Sequence, residues 1–267
     1  MALMPYLTMG YPQRDSALSL VPIIAEAGAD LIELGIPFSD PLADGPTIQA
    51  SSQQALENGM TIRLCVAQAA ALRAEGVTVP FVLMGYFNPI LQYGIELFAR
   101  DATAAGIDGV IIPDLPPEEA DSVQPWLRAA GLDLVFLLAP TSDAERIRSV
   151  AQRSEGFIYL VSLIGVTGAR DTLTADLATF VGRVRAATSK PLAVGFGIST
   201  SAQAGQVAHL ADGVIVGSAL VKAVGEAADP IEGARSLVTA LRNGIDCHDP
   251  ISADCGAPSR AFEVGGQ

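Results

Sequence analysis

The sequence predicts an α/β protein with a single domain, a (β/α)8 barrel of the TIM type. Eight short apolar runs recur along the chain, and alanine-rich segments of helical character separate them. Most of the runs are continuously apolar, which is typical of parallel strands that are buried on both faces. A short pattern, Ala-Gly-X-Asp, repeats at residues 27–30, 105–108 and 130–133. Its glycine is suited to ending a helix and its aspartate to opening the next strand, so each copy marks a helix-to-strand boundary.

The predicted strands follow one another at similar intervals along most of the chain. They are residues 3–8, 31–34, 81–84, 109–112, 134–138, 157–161, 192–194 and 214–216. Eight such units in about 250 residues fit a closed barrel. A doubly wound open sheet is the alternative, and the lack of a Gly-X-Gly-X-X-Gly turn after the first strand counts modestly against it.

Two connections are longer than the others, those after the second and the sixth strand. Because the active site of such a barrel lies at the C-terminal strand ends, the loops near residues 35–47 and 162–173 are candidate catalytic loops or lids. The barrel domain is predicted to span residues 1–243. Residues 244–267, rich in Gly, Pro, Asp and Ser without a helical period, are predicted to form a disordered tail.

Composition restricts the classes of function. The 267 residues carry 16 basic and 29 acidic side chains, a net charge of −13, which argues against binding nucleic acid or an anionic membrane. Three cysteines without Cys-X-X-Cys spacing, and no basic segment of a secretory signal, lead us to expect a cytoplasmic protein. Prolines interrupt the longest uncharged stretch, residues 76–95, so it does not predict a membrane helix. His209 and His248 lack ligand spacing, so no metal site is predicted.

Two carboxylates at the end of the second strand and in the loop after it are candidate catalytic residues. Glu33 ends an otherwise apolar strand, where partial desolvation would raise its pKa and suit it to general acid–base chemistry. The alternative, an outward Glu33 paired with a helix cation, is less favoured at a C-terminal strand end. Asp44 either reaches back toward Glu33, giving two carboxylates with separate proton tasks, or only shapes a turn. Asp40, which precedes a proline, is assigned to the turn.

Glycine-rich segments follow the last three predicted strands. They are residues 165–168, 195–199 and 217–218. Glycines let backbone N–H groups approach an anion, and the loops after strands 7 and 8 frequently hold phosphate in these barrels. Three such segments at matched positions favour a phosphate site over simple tight turns. Four further side chains lie at strand ends: Tyr6, Met84, Tyr86 and Tyr159. They either line a pocket for an aromatic substrate or belong to the core and rim.

One long segment resembles the signature of the tryptophan synthase alpha subunit family. Residues 31–49 read LIELGIPFSDPLADGPTIQ, a long and specific motif. Four further segments are similar to family segments in the same order, at residues 5–12, 165–168, 195–199 and 217–219. The resemblance covers about residues 3–242.

This resemblance implies a barrel that cleaves indole-3-glycerol phosphate into indole and glyceraldehyde 3-phosphate, a retro-aldol lyase reaction of tryptophan biosynthesis. Glu33 would protonate indole C3 and assist loss of the glycerol hydroxyl proton, and Asp44 would pair with the indole N–H. Tyr159 would help to position Glu33. The phosphate-binding residues that the resemblance implies are Gly168, Gly197, Gly217 and Ser218.

The resemblance also implies a partner. In the family this subunit has no cofactor of its own and docks on a beta subunit that contains pyridoxal phosphate and receives the indole through a tunnel. An alpha2-beta2 tetramer is therefore expected. The segment around Asn88 and Pro89 matches a stretch near that interface.

Three other functions remain as alternatives. Another phosphate-binding barrel enzyme, such as an isomerase or indole-glycerol-phosphate synthase, would need a catalytic lysine or a different acid–base pair, but the two lysines, Lys190 and Lys222, lie outside strands 1 to 6. A catalytically weak subunit that mainly activates the beta chain is disfavoured by the intact Glu33 and Asp44. A free-standing lyase that releases indole without a partner stays open.

Overall fold

The computed structural model describes residues 1–161, 170–195 and 197–247, with the side chains of residues 170–175 excepted. Within these ranges nine strands form one parallel sheet. They are β1 (Ala2–Thr8), β2 (Ile32–Gly35), β3 (Phe81–Met84), β4 (Gly109–Ile111), β5 (Asp133–Val135), β6 (Leu137–Leu138), β7 (Ile158–Val161), β8 (Leu192–Gly195) and β9 (Gly213–Val216). Seven of the eight predicted strands lie within one residue of their predicted ends, and the fifth is broken into β5 and β6.

Helices connect these strands. They are α1 (Ser16–Glu26), α2 (Pro46–Glu57), α3 (Ile62–Ala74), α4 (Phe87–Tyr93), α5 (Ile95–Ala104), α6 (Gln124–Ala129), α7 (Ala144–Arg153), α8 (Arg170–Arg185), α9 (Ser201–Ala208), α10 (Ser218–Glu226) and α11 (Pro230–Asp246), with a 3-10 helix at Pro117–Ser122. None of the helices in the described ranges combines the length and the apolar character that crossing a membrane would need.

Two of the segment boundaries predicted from the sequence fall inside helices of the structure. Helix α11 continues to Asp246, past the barrel boundary predicted at residue 243, and the tail from residue 248 onward lies outside the described residues. Of the loop predicted at residues 162–173, residues 170–173 already belong to α8, and residues 162–169 lie outside the described part.

The break in the fifth strand is where the barrel closes. The sheet order runs β5-β4-β3-β2-β1-β9-β8-β7-β6, so its two ends are consecutive in the chain and separated only by Phe136. Strand β5 pairs with β4, and β6 pairs with β7. The Phe136 carbonyl accepts a hydrogen bond from the Tyr159 N–H at 3.1 Å, and its own N–H donates to Ser154 Oγ at 3.1 Å. The two parts of the interrupted strand therefore pair with the strands on either side of it, and this closes the sheet. The predicted barrel is confirmed, and the alternative of an open sheet is wrong.

The structure gives a reason for both the glycine and the aspartate of the repeated Ala-Gly-X-Asp pattern. Gly28, Gly106 and Gly131 all have positive φ, between 76° and 108°, as expected for glycines that end helices. In the first two copies the aspartate precedes a strand, and its side chain accepts a hydrogen bond from a backbone N–H near the start of the strand before it. Glu155 and Asp212 do the same before β7 and β9, whereas Asp133 of the third copy is itself the first residue of β5. A side chain thus satisfies the backbone N–H groups with which several strands begin.

Four such carboxylates, here called the basal carboxylates, lie at the N-terminal end of the barrel. The bonds are Asp30 to Leu3 N at 2.7 Å, Asp108 to Phe81 N at 2.8 Å, Glu155 to Leu134 N at 3.2 Å and Asp212 to Leu192 N at 2.8 Å. Each also forms an ion pair with an arginine: Arg242, Arg73, Arg128 and Arg185, respectively. This end of the molecule is therefore closed by polar contacts among its own residues.

The strands separate two apolar layers. One lies between the sheet and the helices and contains Leu3, Ile32 and Leu34. The other fills the barrel interior, with Met4, Val82, Ile111, Val135, Phe157, Tyr159, Ala193 and Ile215. Successive strand residues point to opposite faces, so the alternate positions Tyr6 and Glu33 share the interior face with Met4 and Val82. The interior is therefore apolar below and polar toward the C-terminal strand ends.

Candidate active site

Glu33 lies inside the barrel as the second of the four residues of β2, two residues before the strand end at which the sequence had placed it. It is paired in register with Tyr6 on β1 and Val82 on β3, and it is 2% exposed. Within the described part of the chain its Oε1 atom has no hydrogen-bond partner. Burial, with a smaller contribution from Asp44, raises the pKa of Glu33 to about 8. The side chain therefore points inward, as expected for an acid–base group, and not outward to a helix cation.

Asp44 lies at the end of the loop that joins β2 to α2. The helix begins at Pro46, with Gly45 as its N-cap residue. Burial raises the pKa of Asp44 to about 6, and a hydrogen bond from Tyr86 opposes that rise. Because Asp44 contributes to the raised pKa of Glu33, the loop brings the two carboxylates within electrostatic reach of each other.

Tyr86 fixes this loop over the barrel mouth. Its hydroxyl oxygen accepts a hydrogen bond from the Ala43 N–H at 2.9 Å, and its ring lies 5.4 Å from that of Phe38. The next residue, Phe87, donates its N–H to Asp114 Oδ1 at 2.8 Å, which anchors the start of α4. The sequence offered Tyr86 only as one of four strand-end side chains. Its contact with the Asp44 loop depends on the fold and has no local signal.

Two tyrosines fill the interior above Glu33, and each depends on a glycine. A Cβ atom at Gly35 would lie 2.2 Å from the Tyr6 hydroxyl oxygen, and one at Gly195 would lie 2.3 Å from that of Tyr159. In both cases the glycine lies two residues after the register partner of the tyrosine. Burial raises the pKa of the Tyr159 phenol, and the negative charge of Glu33 raises it further. The tyrosines and Glu33 thus form one buried group.

Asp40 and the lysines lie away from this group. Asp40 is exposed and accepts a hydrogen bond from Ser39 Oγ at 2.5 Å, in keeping with its assignment to a turn. Lys190 Nζ donates to the carbonyls of Ala151 and Ser154, on α7 and just after it. Lys222 pairs with Glu226 on the surface of α10 at 3.9 Å. Neither lysine is placed to act on a molecule beside Glu33. The structure therefore does not support the alternative of a barrel enzyme with a catalytic lysine.

The predicted phosphate residues are described in part. Gly168 lies outside the described residues. Gly197 is exposed with a φ of 78°, in the loop after β8. Gly217 is the N-cap residue of α10, and Ser218 is the first residue of that helix. Strands β8 and β9 are neighbours, so their loops adjoin, and a Cβ at Gly217 would lie 3.5 Å from the Tyr6 ring. The start of α10 and the buried tyrosine group are therefore adjacent.

The site holds two carboxyl groups with different proton affinities. At neutral pH Glu33 is largely protonated, with its pKa near 8, and Asp44 is largely ionised, with its pKa near 6. Such a pair offers an acid and an anion side by side, which is how two carboxyl groups take separate roles. Among the described residues no group of three or more His, Cys, Asp or Glu side chains is arranged to hold a metal ion.

Comparison with known proteins gives a consistent result. A family model described as tryptophan synthase alpha chain matches residues 1–246. The tryptophan synthase alpha chain of Dehalococcoides mccartyi is 53% identical over 246 residues, which cover 92% of this chain and 95% of the relative. That of Roseiflexus sp. strain RS-1 is 54% identical over 242 residues, covering 91% and 92%. The crystal structure of tryptophan synthase subunit alpha from Legionella pneumophila str. Paris has a TM-score of 0.86 at 41% identity, covering 92% of this chain and 93% of that one. The chain belongs to the tryptophan synthase alpha chain family.

Proposed function

We propose that Glu33 and Asp44 are the proton-handling pair of a carbon–carbon lyase. The reaction of the family cleaves indole-3-glycerol phosphate into indole and glyceraldehyde 3-phosphate during tryptophan biosynthesis, and this chain is a lyase of that kind. The observation that carries the assignment of residues is the position of Glu33. It is a carboxyl group buried in the barrel interior among tyrosines and apolar side chains, and it keeps its proton at neutral pH.

The reaction needs one proton delivered and one proton removed. Protonation of indole C3 places a positive charge on the ring nitrogen. Loss of the proton from the hydroxyl on the adjacent glycerol carbon then forms the aldehyde, and the carbon–carbon bond breaks as its electron pair returns to the ring. Glu33 gives its proton to C3 and, once ionised, accepts the hydroxyl proton. It therefore ends the cycle in the state in which it began.

Asp44 supplies the complementary charge. The positive charge that develops on the ring nitrogen is stabilised by an anion that is already in place, because no solvent must reorganise during the step. Asp44 has the lower pKa of the pair and is the anion at neutral pH. Tyr86 holds its loop, so the carboxylate is oriented before the substrate binds.

The phosphate of the substrate is assigned to the loops after β7, β8 and β9. The first backbone N–H groups of a helix have no partner within it and attract anions. Gly217 and Ser218 place those of α10 beside Tyr6, and Gly197 adds the adjoining loop. Gly168 completes the set in the proposal. An acidic chain binds phosphate through such backbone donors without a cluster of basic side chains.

The beta subunit is assigned as the partner, with indole passing to it. The finer details are part of the same proposal: an alpha2-beta2 tetramer, pyridoxal phosphate in the beta chain and none in this one, and docking near Asn88 and Pro89. Residues 87–93 form α4, which directly follows the Tyr86 contact with the Asp44 loop. A partner bound there would lie next to the segment that orients Asp44. The cytoplasmic location expected from the sequence stays a prediction.

The test is indole release from indole-3-glycerol phosphate, with and without beta subunit. We expect Glu33→Gln and Asp44→Asn each to lower kcat by about 10²–10⁴-fold, the usual range for a lost proton-transfer group. Glu75→Gln, an exposed carboxyl at the end of α3, is the control and should retain full activity. Activity that survives Glu33→Gln would contradict the assignment. Full activity without beta subunit would instead indicate a free-standing lyase.

A further inference from the structure

Three buried hydroxyl groups form a chain from the barrel interior to helix α2. The Tyr6 hydroxyl lies 3.3 Å from Thr8 Oγ1, and Thr8 Oγ1 lies 2.7 Å from Ser51 Oγ. Ser51 Oγ in turn donates to the Ile48 carbonyl at 2.9 Å. Thr8 and Ser51 are each 1% exposed, so solvent does not substitute for these partners. The chain links the strand next to Glu33 with the helix that follows Asp44.

In each contact between two hydroxyls either oxygen could donate, so the direction of this chain follows from counting protons when all three contacts are hydrogen bonds at the same time. A carbonyl oxygen only accepts, so the single proton of Ser51 goes to Ile48. Ser51 then accepts from Thr8, which uses the single proton of Thr8. Thr8 in turn accepts from Tyr6. The Tyr6 proton therefore points toward Thr8, and the remaining lone pairs of the Tyr6 oxygen face the barrel interior.

This direction matters because of what surrounds the Tyr6 hydroxyl. Tyr6 is the register neighbour of Glu33, and its hydroxyl lies over Gly35, two residues further along β2. Both Asp44 and Glu33 act on it electrostatically. Two other titratable groups surround the two carboxyls. Tyr159 on β7 interacts electrostatically with both of them, and Tyr86 after β3 interacts with Asp44 and Asp114. A hydroxyl here would donate to the nearest carboxylate if its proton were free.

We propose that Tyr6, Thr8 and Ser51 are positioning residues that turn the Tyr6 proton away from Glu33 and Asp44. The carboxyl oxygens then remain free to exchange protons with the substrate, and the Tyr6 oxygen is presented to the substrate as an acceptor. The unpartnered Oε1 of Glu33 is consistent with this arrangement. The inference rests on the proposed roles of the two carboxylates, and it adds a group that controls their proton affinity.

The experiment measures the titration of the carboxyl groups directly. Infrared difference spectra of the unliganded protein across pH report the carbonyl band of each protonated carboxyl, and Glu33→Gln and Asp44→Asn assign the bands of the site. In Ser51→Ala, Thr8 loses its acceptor and can donate to Tyr6, which frees the Tyr6 proton. We expect the titration of at least one site carboxyl to move down by about one pH unit or more, the effect of a new donor to a charged group. Thr8→Val, which removes the acceptor of Tyr6 itself, should shift it in the same direction.

Two controls make the result specific. Ser52→Ala is the same substitution on the same helix at a residue that is 3% exposed and outside the chain, and it should leave the titration unchanged. Tyr6→Phe alone should not raise the carboxyl titration, because its proton is not donated to either group. Tyr6→Phe combined with Ser51→Ala should cancel the shift.

The outcomes separate this proposal from the assignment of catalytic residues. Equal titration in Ser51→Ala and Ser52→Ala, a shift that persists in the double variant, or a raised titration in Tyr6→Phe would each overturn the role of the chain. A Glu33 band that is absent at neutral pH would instead contradict the proposed function, which requires Glu33 to be protonated there. None of these readouts requires turnover. Activity that survives Glu33→Gln would instead remove the proposed function while leaving the titration result in place.

Discussion

Glu33 is a carboxyl group whose burial serves the reaction and weakens the fold. Its unfolded pKa is near 4.5 and its folded pKa near 8, so the folded protein binds this proton more tightly. Below the lower value the group is neutral in both states and has no effect. As the pH rises through this window, ionisation is easier in the unfolded chain, and stability falls until the higher value is passed.

Glu33→Gln should therefore stabilise the protein at alkaline pH. We expect the gain in unfolding free energy over the wild type to be small near pH 4.5 and to reach about 2–5 kcal/mol above pH 8. Denaturant unfolding of both proteins at several pH values measures it. A gain that stays constant with pH would show that folding does not raise the pKa of Glu33. Glu75→Gln, exposed at the end of α3, provides the baseline.

The two raised pKa values also set the pH range of activity. The proposed mechanism needs Glu33 protonated and Asp44 ionised, so kcat/KM should fall below about pH 6 and above about pH 8. Steady-state rates of indole release across this range, with beta subunit in excess, measure the profile. A profile that keeps rising above pH 8 would mean that Glu33 acts only as a base.

The sequence offers Glu33 and Asp44 as candidate catalytic residues, but it does not indicate the hydroxyl chain that we propose acts on their proton affinity. An isolated carboxylate in an apolar strand is a strong local signal, and the long motif around it is specific. Tyr6 was offered only as one of four strand-end side chains, and Thr8 and Ser51 carry no signal at all, because a hydroxyl at either position is ordinary. Their significance arises when β1 lies next to α2, and that contact is made only by the folded barrel.

At the scale of elements, the position of the Tyr6 ring of β1 over β2 depends on Gly35. A Cβ there would overlap the hydroxyl oxygen, Cζ and Cε2 of Tyr6 at 2.2 to 2.6 Å. The ring must therefore leave its position if any side chain is added.

Gly35→Ala should thus destabilise the protein by about 1–3 kcal/mol and lower kcat strongly, because overpacking displaces the tyrosine next to Glu33. Thermal unfolding and indole release measure the two effects. Gly182→Ala in α8 is the matched control, since a Cβ at Gly182 meets nothing within 4 Å. Adding Tyr6→Leu to Gly35→Ala should recover stability without recovering activity. Equal behaviour of the two alanine variants would contradict the role of Gly35.

The elements themselves were largely predictable from sequence, and the exceptions have physical causes. Seven strands were recognised from continuous apolar runs. The fifth run gave no sign of its break at Phe136, because an apolar residue continues the pattern while its backbone leaves one neighbour for the other. The start of α8 at Arg170 was likewise missed, since the polar residues that begin it resemble a loop.

At the scale of the whole molecule, the two ends of the barrel have different tasks. The C-terminal end carries Glu33, Asp44 and the glycine loops, and the N-terminal end carries the basal carboxylates with their arginines. Residues at the latter end should affect stability alone, as is general for this fold. The basal carboxylate Asp108 is typical, because it accepts from the Phe81 N–H at 2.8 Å and pairs with Arg73 at 2.9 Å.

Asp108→Ala should lower the unfolding free energy by about 1–3 kcal/mol, because it leaves a backbone N–H without its acceptor. The kcat and KM of the remaining folded enzyme should stay at wild-type values. Urea unfolding and steady-state kinetics at a temperature well below the transition separate the two quantities. Asp108→Asn retains an acceptor and should lose less stability. A lowered kcat in either variant would show that the two ends of the barrel are coupled.

The closure at Phe136 divides the chain into two consecutive halves, and the residues that we propose act on the substrate come from both. Tyr6, Glu33, Asp44 and Tyr86 precede the break, whereas Tyr159 and the proposed phosphate-binding residues Gly197, Gly217 and Ser218 follow it. A bound molecule with its indole ring on one half and its phosphate on the other acts as a tether across the β1–β9 boundary. Binding then holds the ring of strands together at the junction opposite the break. Ligand binding and the stability of the closed barrel are therefore thermodynamically linked, so a ligand that binds only the folded barrel also stabilises it.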